Sequence, residues 1–295
     1  MLNFRAFYVV LSILILSVFI SFKVNAQPFP DGLIGLSSSE PGVLFSIDGS
    51  TGVATPLLTL NGGASITGLA FLKRTLYGTD LYDFPGSIMN DNAIGSITKS
   101  GVISFLSNQN GSQNWWSLAS DESGDVLYTV DDDNSNILTA QFRDGSVTTI
   151  GSGVGFNVPG LEFDNIHGIL YAISNDKSLY TISTATGTPS LIGPTGIPGN
   201  TTAVIGLAYD ACSQILYANE GNLKQLFILD VTTGAATLVG SNGVNDAIDG
   251  LAWKGPCGVA ISNPIPTLSE WGLIAMAGVL GIVGFMVIRR RKLAA

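Results

Sequence analysis

Along residues 31–258 the apolar positions fall into short runs of about four to six, separated by turns rich in Gly, Asp, Ser and Thr. Runs of that length, bounded by turn residues and rich in Tyr, Ile, Val, Thr and Phe, predict strands rather than helices. One tetrad recurs: Gly68-Leu69-Ala70-Phe71, Ser117-Leu118-Ala119-Ser120, Gly160-Leu161-Glu162-Phe163, Gly206-Leu207-Ala208-Tyr209 and Gly250-Leu251-Ala252-Trp253. The spacings are 49, 43, 46 and 44 residues. After each of the first four comes a polar turn and a second run, such as Thr75-Leu76-Tyr77-Gly78 or Ile169-Leu170-Tyr171-Ala172.

Two more strands complete the unit. The third resembles Ser178-Leu179-Tyr180-Thr181-Ile182, the fourth Ala236-Thr237-Leu238-Val239-Gly240, and a turn ending in Gly joins them. Four strands in about 45 residues is the size of a propeller blade. The chain begins out of phase. Leu33-Ile34-Gly35-Leu36 aligns with a second strand, and the last tetrad, Gly250 to Trp253, is a first strand without later partners. Joined, the two ends make one blade, which removes the open edges that invite unwanted pairing. The expectation is therefore an all-β, five-bladed propeller over 31–258, with a β-solenoid or open sandwich as alternatives. Six or seven blades would follow if Asp80–Asn92, the longest insertion, hides a degenerate unit. In general style the repeat resembles the NHL- and quinoprotein-like propellers of exported bacterial proteins, without residues that single out one family.

The termini differ from this pattern. Arg5 followed by the apolar run Ala6–Phe22 and the small residue Ala26 predicts a signal peptide over 1–26. Near the other end, 272–288 carry no charge, just long enough to span a bilayer. Arg289-Arg290-Arg291-Lys292 follows and orients that helix from outside to inside. The domain boundaries expected are a signal peptide at 1–26, a propeller at 31–258, a linker at 259–264 and a C-terminal signal at 265–295.

These segments hold six of the 13 basic residues. Residues 27–264 keep seven basic against 21 acidic residues, a net charge of −14. Such a surface repels phosphate backbones, so nucleic-acid binding is excluded. One His and two Cys exclude a multi-histidine zinc site and a dense disulfide framework.

The C-terminal segment Ile265-Pro266-Thr267-Leu268-Ser269-Glu270-Trp271-Gly272, then the apolar helix and basic cluster, resembles the bacterial sorting signal known as IPTL-CTERM. The matching residues are Ile265, Pro266, Thr267, Leu268, Trp271 and Gly272. The resemblance implies a Gram-negative host, recognition by a membrane-embedded exosortase, and display on or release from the cell surface. It covers about thirty residues and implies nothing about the propeller's own activity.

Within the repeat, Glu162 stands where the other tetrads carry Ala70, Ala119, Ala208 and Ala252. First strands line a propeller's channel, so this carboxylate either binds a cation or polar ligand or meets channel water. Asp131-Asp132-Asp133-Asn134 is the densest acidic run. It is expected to be a solvated turn, or a Ca²⁺ site, although it lacks the spaced carboxylates of a calcium loop. His167 is expected in a solvated turn without catalytic company. Trp115-Trp116, after Asn110–Asn114, suits either glycan stacking or core packing. Cys212 and Cys257 follow first strands at equivalent positions, and in an oxidising compartment they are expected to pair. No catalytic constellation is visible. The expected function is a non-enzymatic binding or structural protein of the cell surface, with an extracellular glycan or protein as the ligand it would take. The alternative is a Ca²⁺-dependent propeller hydrolase or lactonase, which needs several carboxylates converging on one channel mouth.

Overall fold

The computed structural model describes residues 29–64, 68–79, 81–83, 94–106, 115–131, 136–199 and 205–255. They belong to the first of two compact units, 1–259 and 260–295. The expected signal peptide, the transmembrane helix 272–288, the basic tail and the sorting residues 265–272 all lie outside the described residues. Among the described residues, no helix is long and apolar enough to cross a membrane.

The chain opens with β1 (Gly32–Ser37), β2 (Val43–Ile47) and β3 (Ala54–Thr59). It continues through β4 (Gly62–Ala64), β5 (Leu69–Leu72), β6 (Thr75–Gly78), β7 (Leu81–Asp83), β8 (Gly95–Ile97) and β9 (Ile103–Phe105). Three regular units follow. The first is β10 (Ala119–Asp121), β11 (Val126–Asp131), β12 (Ile137–Phe142) and β13 (Val147–Ile150). The next is β14 (Gly160–Asp164), β15 (Ile169–Ile173), β16 (Ser178–Ile182) and β17 (Pro189–Pro194). The last is β18 (Ile205–Asp210), β19 (Ile215–Glu220), β20 (Gln225–Leu229) and β21 (Ala236–Ser241), after which β22 (Ile248–Lys254) ends the domain.

These strands form five antiparallel four-stranded sheets. Blade 1 has the order β22-β1-β2-β3 and blade 2 the order β5-β6-β8-β9, while blades 3 to 5 run in chain order. The inner strands contact one another in the ring β22, β5, β10, β14, β18 and back to β22. The protein is a five-bladed propeller. Closure falls where the sequence placed it: Leu33 pairs with Trp253, Ile34 with Ala252, and Leu36 with Gly250. From the long insertion, β7 pairs with β4 in a two-stranded ribbon, and among the described residues no sixth four-stranded sheet is formed.

The repeat explains how the blades stack. In blades 2 to 5 the Tyr of the second strand lies opposite the third tetrad residue of its own blade, as Tyr171 does with Glu162. In blades 3 to 5 it packs on the fourth tetrad residue of the next blade. Tyr128 meets Phe163 with centroids 5.8 Å apart, Tyr171 meets Tyr209 at 6.1 Å, and Tyr217 stacks on Trp253 at 6.3 Å. Each such pair adds about 0.5–1.5 kcal/mol beyond its burial. Between blades 1 and 2 the contact is made differently, by Phe29 edge-on to Phe71 at 5.9 Å, with Ile34 in the same core cluster.

The outer hairpins carry the turns that the sequence predicted. Asp48 Oδ1 accepts the backbone N–H groups of Ser50 at 2.8 Å and Thr51 at 3.2 Å, and Asp230 caps Thr232 and Thr233 in the same way. Gly52 and Gly234 close these turns with φ of 82° and 83°. Each also lies flush against the outer strand of the preceding blade, where a Cβ would strike Gly240 or Gly193. A register shift recurs where third and fourth strands pair in blades 1, 4 and 5, bending the outer strand.

Candidate functional site

The inner strands pair on one side only, so the opposite edges of β5, β10, β14, β18 and β22 face the central channel. The two ends of that channel differ. At one end Gly68, Gly160 and Gly206 bring the strands so close that a Cβ would run into Leu118 N, Ile205 O and Asp249 O respectively. Leu69, Leu118, Leu161, Leu207 and Leu251 fill what remains, and the space left is about 10 Å³, room for one water at most. The Gly-Leu half of the tetrad is therefore a closure device.

The other half of the tetrad opens into a cavity of about 100 Å³. Its walls come from all five blades and include Phe71, Phe163, Tyr209 and Trp253. Glu162 lines it and is only 8% exposed. Burial pushes its carboxyl well above the usual range; the Tyr209 backbone N–H, which donates to it, opposes the rise and the nearby Asp164 carboxylate adds to it. Ser120, also in the wall, stands where the other four blades carry an aromatic residue, and its hydroxyl donates instead to Phe71 O at 2.6 Å.

Around the mouth, side chains lace one blade to the next. Lys73 N–H donates to Glu122 Oε1 at 2.8 Å, and Lys73 Nζ donates to the Glu122 carbonyl. Glu122 N–H donates to Asn165 Oδ1 at 2.7 Å, and Asn165 Nδ2 donates to Ser120 O at 2.9 Å. This chain joins blades 2, 3 and 4. Burial raises the Glu122 carboxyl above its ordinary value, against the Lys73 N–H and ammonium. Lys254 secures the closing strand to the N-terminal segment through Phe29 O at 2.6 Å and Asp31 at 2.5 Å.

Among the candidate binding residues that are described, Glu162 alone lines this cavity. Asp131 is not in a solvated turn, which corrects that expectation. It ends β11, pairs with Ile137 and bridges to Trp115, and is 3% exposed. The strand extends further than the acidic composition suggested because Val126–Val130 carries it inward. Asp132 and Asp133 lie outside the described residues. Among the described residues, no group of three or more His, Cys, Asp or Glu side chains is placed to hold a metal. Trp115 is core, 1% exposed, and Trp116 half-buried. Cys212 sits in the turn after β18, its N–H donating to Asp210 Oδ1 at 2.9 Å. Cys257 is outside the described residues.

His167 has an orienting partner that the sequence reading missed. Its Nδ1 lies 2.6 Å from Asp164 Oδ2, with the His side chain 45% exposed and the Asp side chain 1%. The Tyr209 hydroxyl also bonds to Asp164, and burial together with that carboxylate raises the phenol far above its ordinary value. Asp164 is first a turn former, since Asp121 and Asp210 make the same backbone caps in blades 3 and 5. Arg74, Glu122, Asn165 and Ser120 were missed altogether. Only Ser120 left a signal, as the gap in an otherwise aromatic column.

Residues 263–292 match the IPTL-CTERM motif. That motif marks a sorted surface protein and implies export and processing by an exosortase at the membrane. No curated protein matches the chain. Among solved structures, a chain from the crystal structure of a nidogen/laminin complex is similar in fold, with a TM-score of 0.51 and 14% identity. The match covers 76% of this chain and 98% of that one. A Bacteroides thetaiotaomicron VPI-5482 protein of unknown function matches at TM-score 0.46 and 14% identity, over 71% of this chain and 50% of that one. Myxococcus xanthus glutaminyl cyclase matches at 0.41 and 16%, over 65% and 71%.

Proposed function

We propose that this is an exported binding protein: a propeller carried to the cell surface, detached from its C-terminal anchor by an exosortase, and acting by recognition rather than catalysis. The observation that carries this reading is the IPTL-CTERM match at 263–292 directly after a closed propeller. In this reading residues 1–26 are removed after Ala26. Gly272–Ile288 forms a short membrane helix, about 25 Å at 1.5 Å per residue, and holds Ile265–Gly272 at the membrane surface. Pro266 disfavours helix in the residue before it, which keeps the start of the motif extended. Binding rather than catalysis is supported by the placement of the candidates. Asp131 lies away from the mouth cavity, which holds the carboxyls of Glu162 and Glu122, the latter tied to Lys73, and no group of three metal-ligating side chains is found among the described residues.

Mass spectrometry of the protein extracted from the surface of an exosortase-bearing host tests the sorting step. The expected C-terminus lies near Thr267. An intact Arg289–Lys292 tail on the mature protein would reduce the segment to a plain anchor. Metal analysis of the same preparation tests the recognition step, because stoichiometric Ca²⁺ would favour the calcium-dependent hydrolase.

A further inference from the structure

The repeat departs from its own rule twice in the tetrad's second half, and both departures line one cavity. Glu162 replaces Ala at the third position, and Ser120 replaces an aromatic residue at the fourth. The first puts a carboxyl into the mouth and the second leaves the space beside it. Each keeps one bond to a neighbouring blade, the Ser120 hydroxyl to Phe71 O and the Tyr209 N–H to Glu162, but the aromatic contacts at Phe163, Tyr209 and Trp253 are made without either.

We propose that the channel mouth binds a small primary ammonium group, with Glu162 as its counter-ion. A buried carboxyl needs a cation or a proton. Its two basic neighbours in the cavity wall do not serve it: Lys254 is bonded to Asp31, and Arg74 lies exposed at the rim. Glu122 faces the same cavity but is held by Lys73. Tyr209 offers Glu162 a backbone N–H, and its phenol turns to Asp164. The channel edges of the inner strands add backbone carbonyls, which suit the three donors of an ammonium. The net charge of −14 over residues 27–264 favours cations over anions near the domain. A divalent metal is a poor fit, because Ca²⁺ takes six to eight oxygens and no cluster of three carboxylates is present among the described residues. When the cation enters, the Glu162 carboxyl gives up its proton to solvent, so binding tightens as pH rises while the amine stays protonated.

This inference rests on the recognition half of the proposed function and not on sorting, so a failed processing experiment leaves it standing. The test is isothermal titration calorimetry on the full chain in detergent. Glucosamine, putrescine and glucose serve as probes, in two buffers of different ionisation enthalpy. At least one amine is expected to bind with net proton release, with glucose weaker by about tenfold or more. Glu162→Gln should lose about tenfold in affinity and the proton release together. Ser120→Phe, which fills the cavity while retaining Glu162, should block the amine even if Glu162→Gln fails to fold. Failure of both amines to bind, equal affinity for glucose, binding without proton release, or binding unchanged in Ser120→Phe would each overturn the proposal.

Discussion

The two ends of the central channel are built from the same five strands, yet they serve opposite purposes. At the narrow end the repeat is obeyed almost without exception, and Gly and Leu leave about 10 Å³ between the strands. At the mouth the repeat is broken at Ser120 and Glu162, and a cavity of about 100 Å³ opens. In a molecule of repeated units, a position that every blade shares answers to packing. A position where one blade differs has been freed from packing and can answer to something else.

The largest predicted effect removes a wall from both ends. Deleting 248–254 takes away β22, leaves the inner edge of β1 without a partner, and opens the ring. The truncated chain should fail to give soluble folded protein, and an unchanged melting transition would refute closure by the two termini. Next comes the proposed Cys212–Cys257 bridge, which would staple the mouth-side ends of β18 and β22. Closing a loop of that length stabilises by about 4 kcal/mol in the chain-entropy model. Cys212→Ser should therefore lower stability and speed hydrogen exchange in β22. Two reactive thiols in the exported, denatured protein would remove the bridge from the account.

A smaller effect concerns pH, and its sign follows from which form each site stabilises. The carboxyls of Glu162, Glu122 and Asp249 are raised, chiefly by burial. Their contribution is fully present below the ordinary carboxyl range and is lost as pH climbs through their raised values. The turn-capping Asp48, Asp144, Asp176 and Asp230 are lowered, with hydrogen bonds to the side chain of a neighbouring Ser or Thr as the main cause. Their contribution appears above that range and is lost as pH falls. Between pH 5 and 8 the melting temperature should decline, and Glu162→Gln should make the decline shallower. A profile that rises over this interval would contradict the burial of these carboxyls.

Most of the fold was legible from the sequence because a propeller repeats its packing. The Gly-Leu-Ala-aromatic tetrad recurs wherever strands meet the axis, and the out-of-phase ends specify which strand closes the ring. The mouth was legible only in part. Glu162 could be read because it interrupts a column of Ala. Glu122 and Asn165 could not, since they lie in turns whose spacing varies, and their bonds run between blades rather than along the chain. Asp131 misled for a related reason: acidic residues in a row suggest solvent, but strand register buries the first of them against Trp115.

Two residues on one strand, two positions apart, test the contrast most directly. Gly160 lies at the narrow end of β14 and Glu162 at its mouth. Thermal melts of Gly160→Ala and Glu162→Ala, measured side by side, should move in different directions. A Cβ at Gly160 collides with the backbone of Ile205. Gly160→Ala should therefore cost about 3 kcal/mol, or roughly 6–12 °C for a domain of this size. Glu162→Ala restores the residue found in the other four blades and removes a buried carboxyl, so its melting temperature should stay level or rise. If Glu162→Ala melts as far below the parent as Gly160→Ala does, the mouth is as structural as the narrow end and the division between them is wrong.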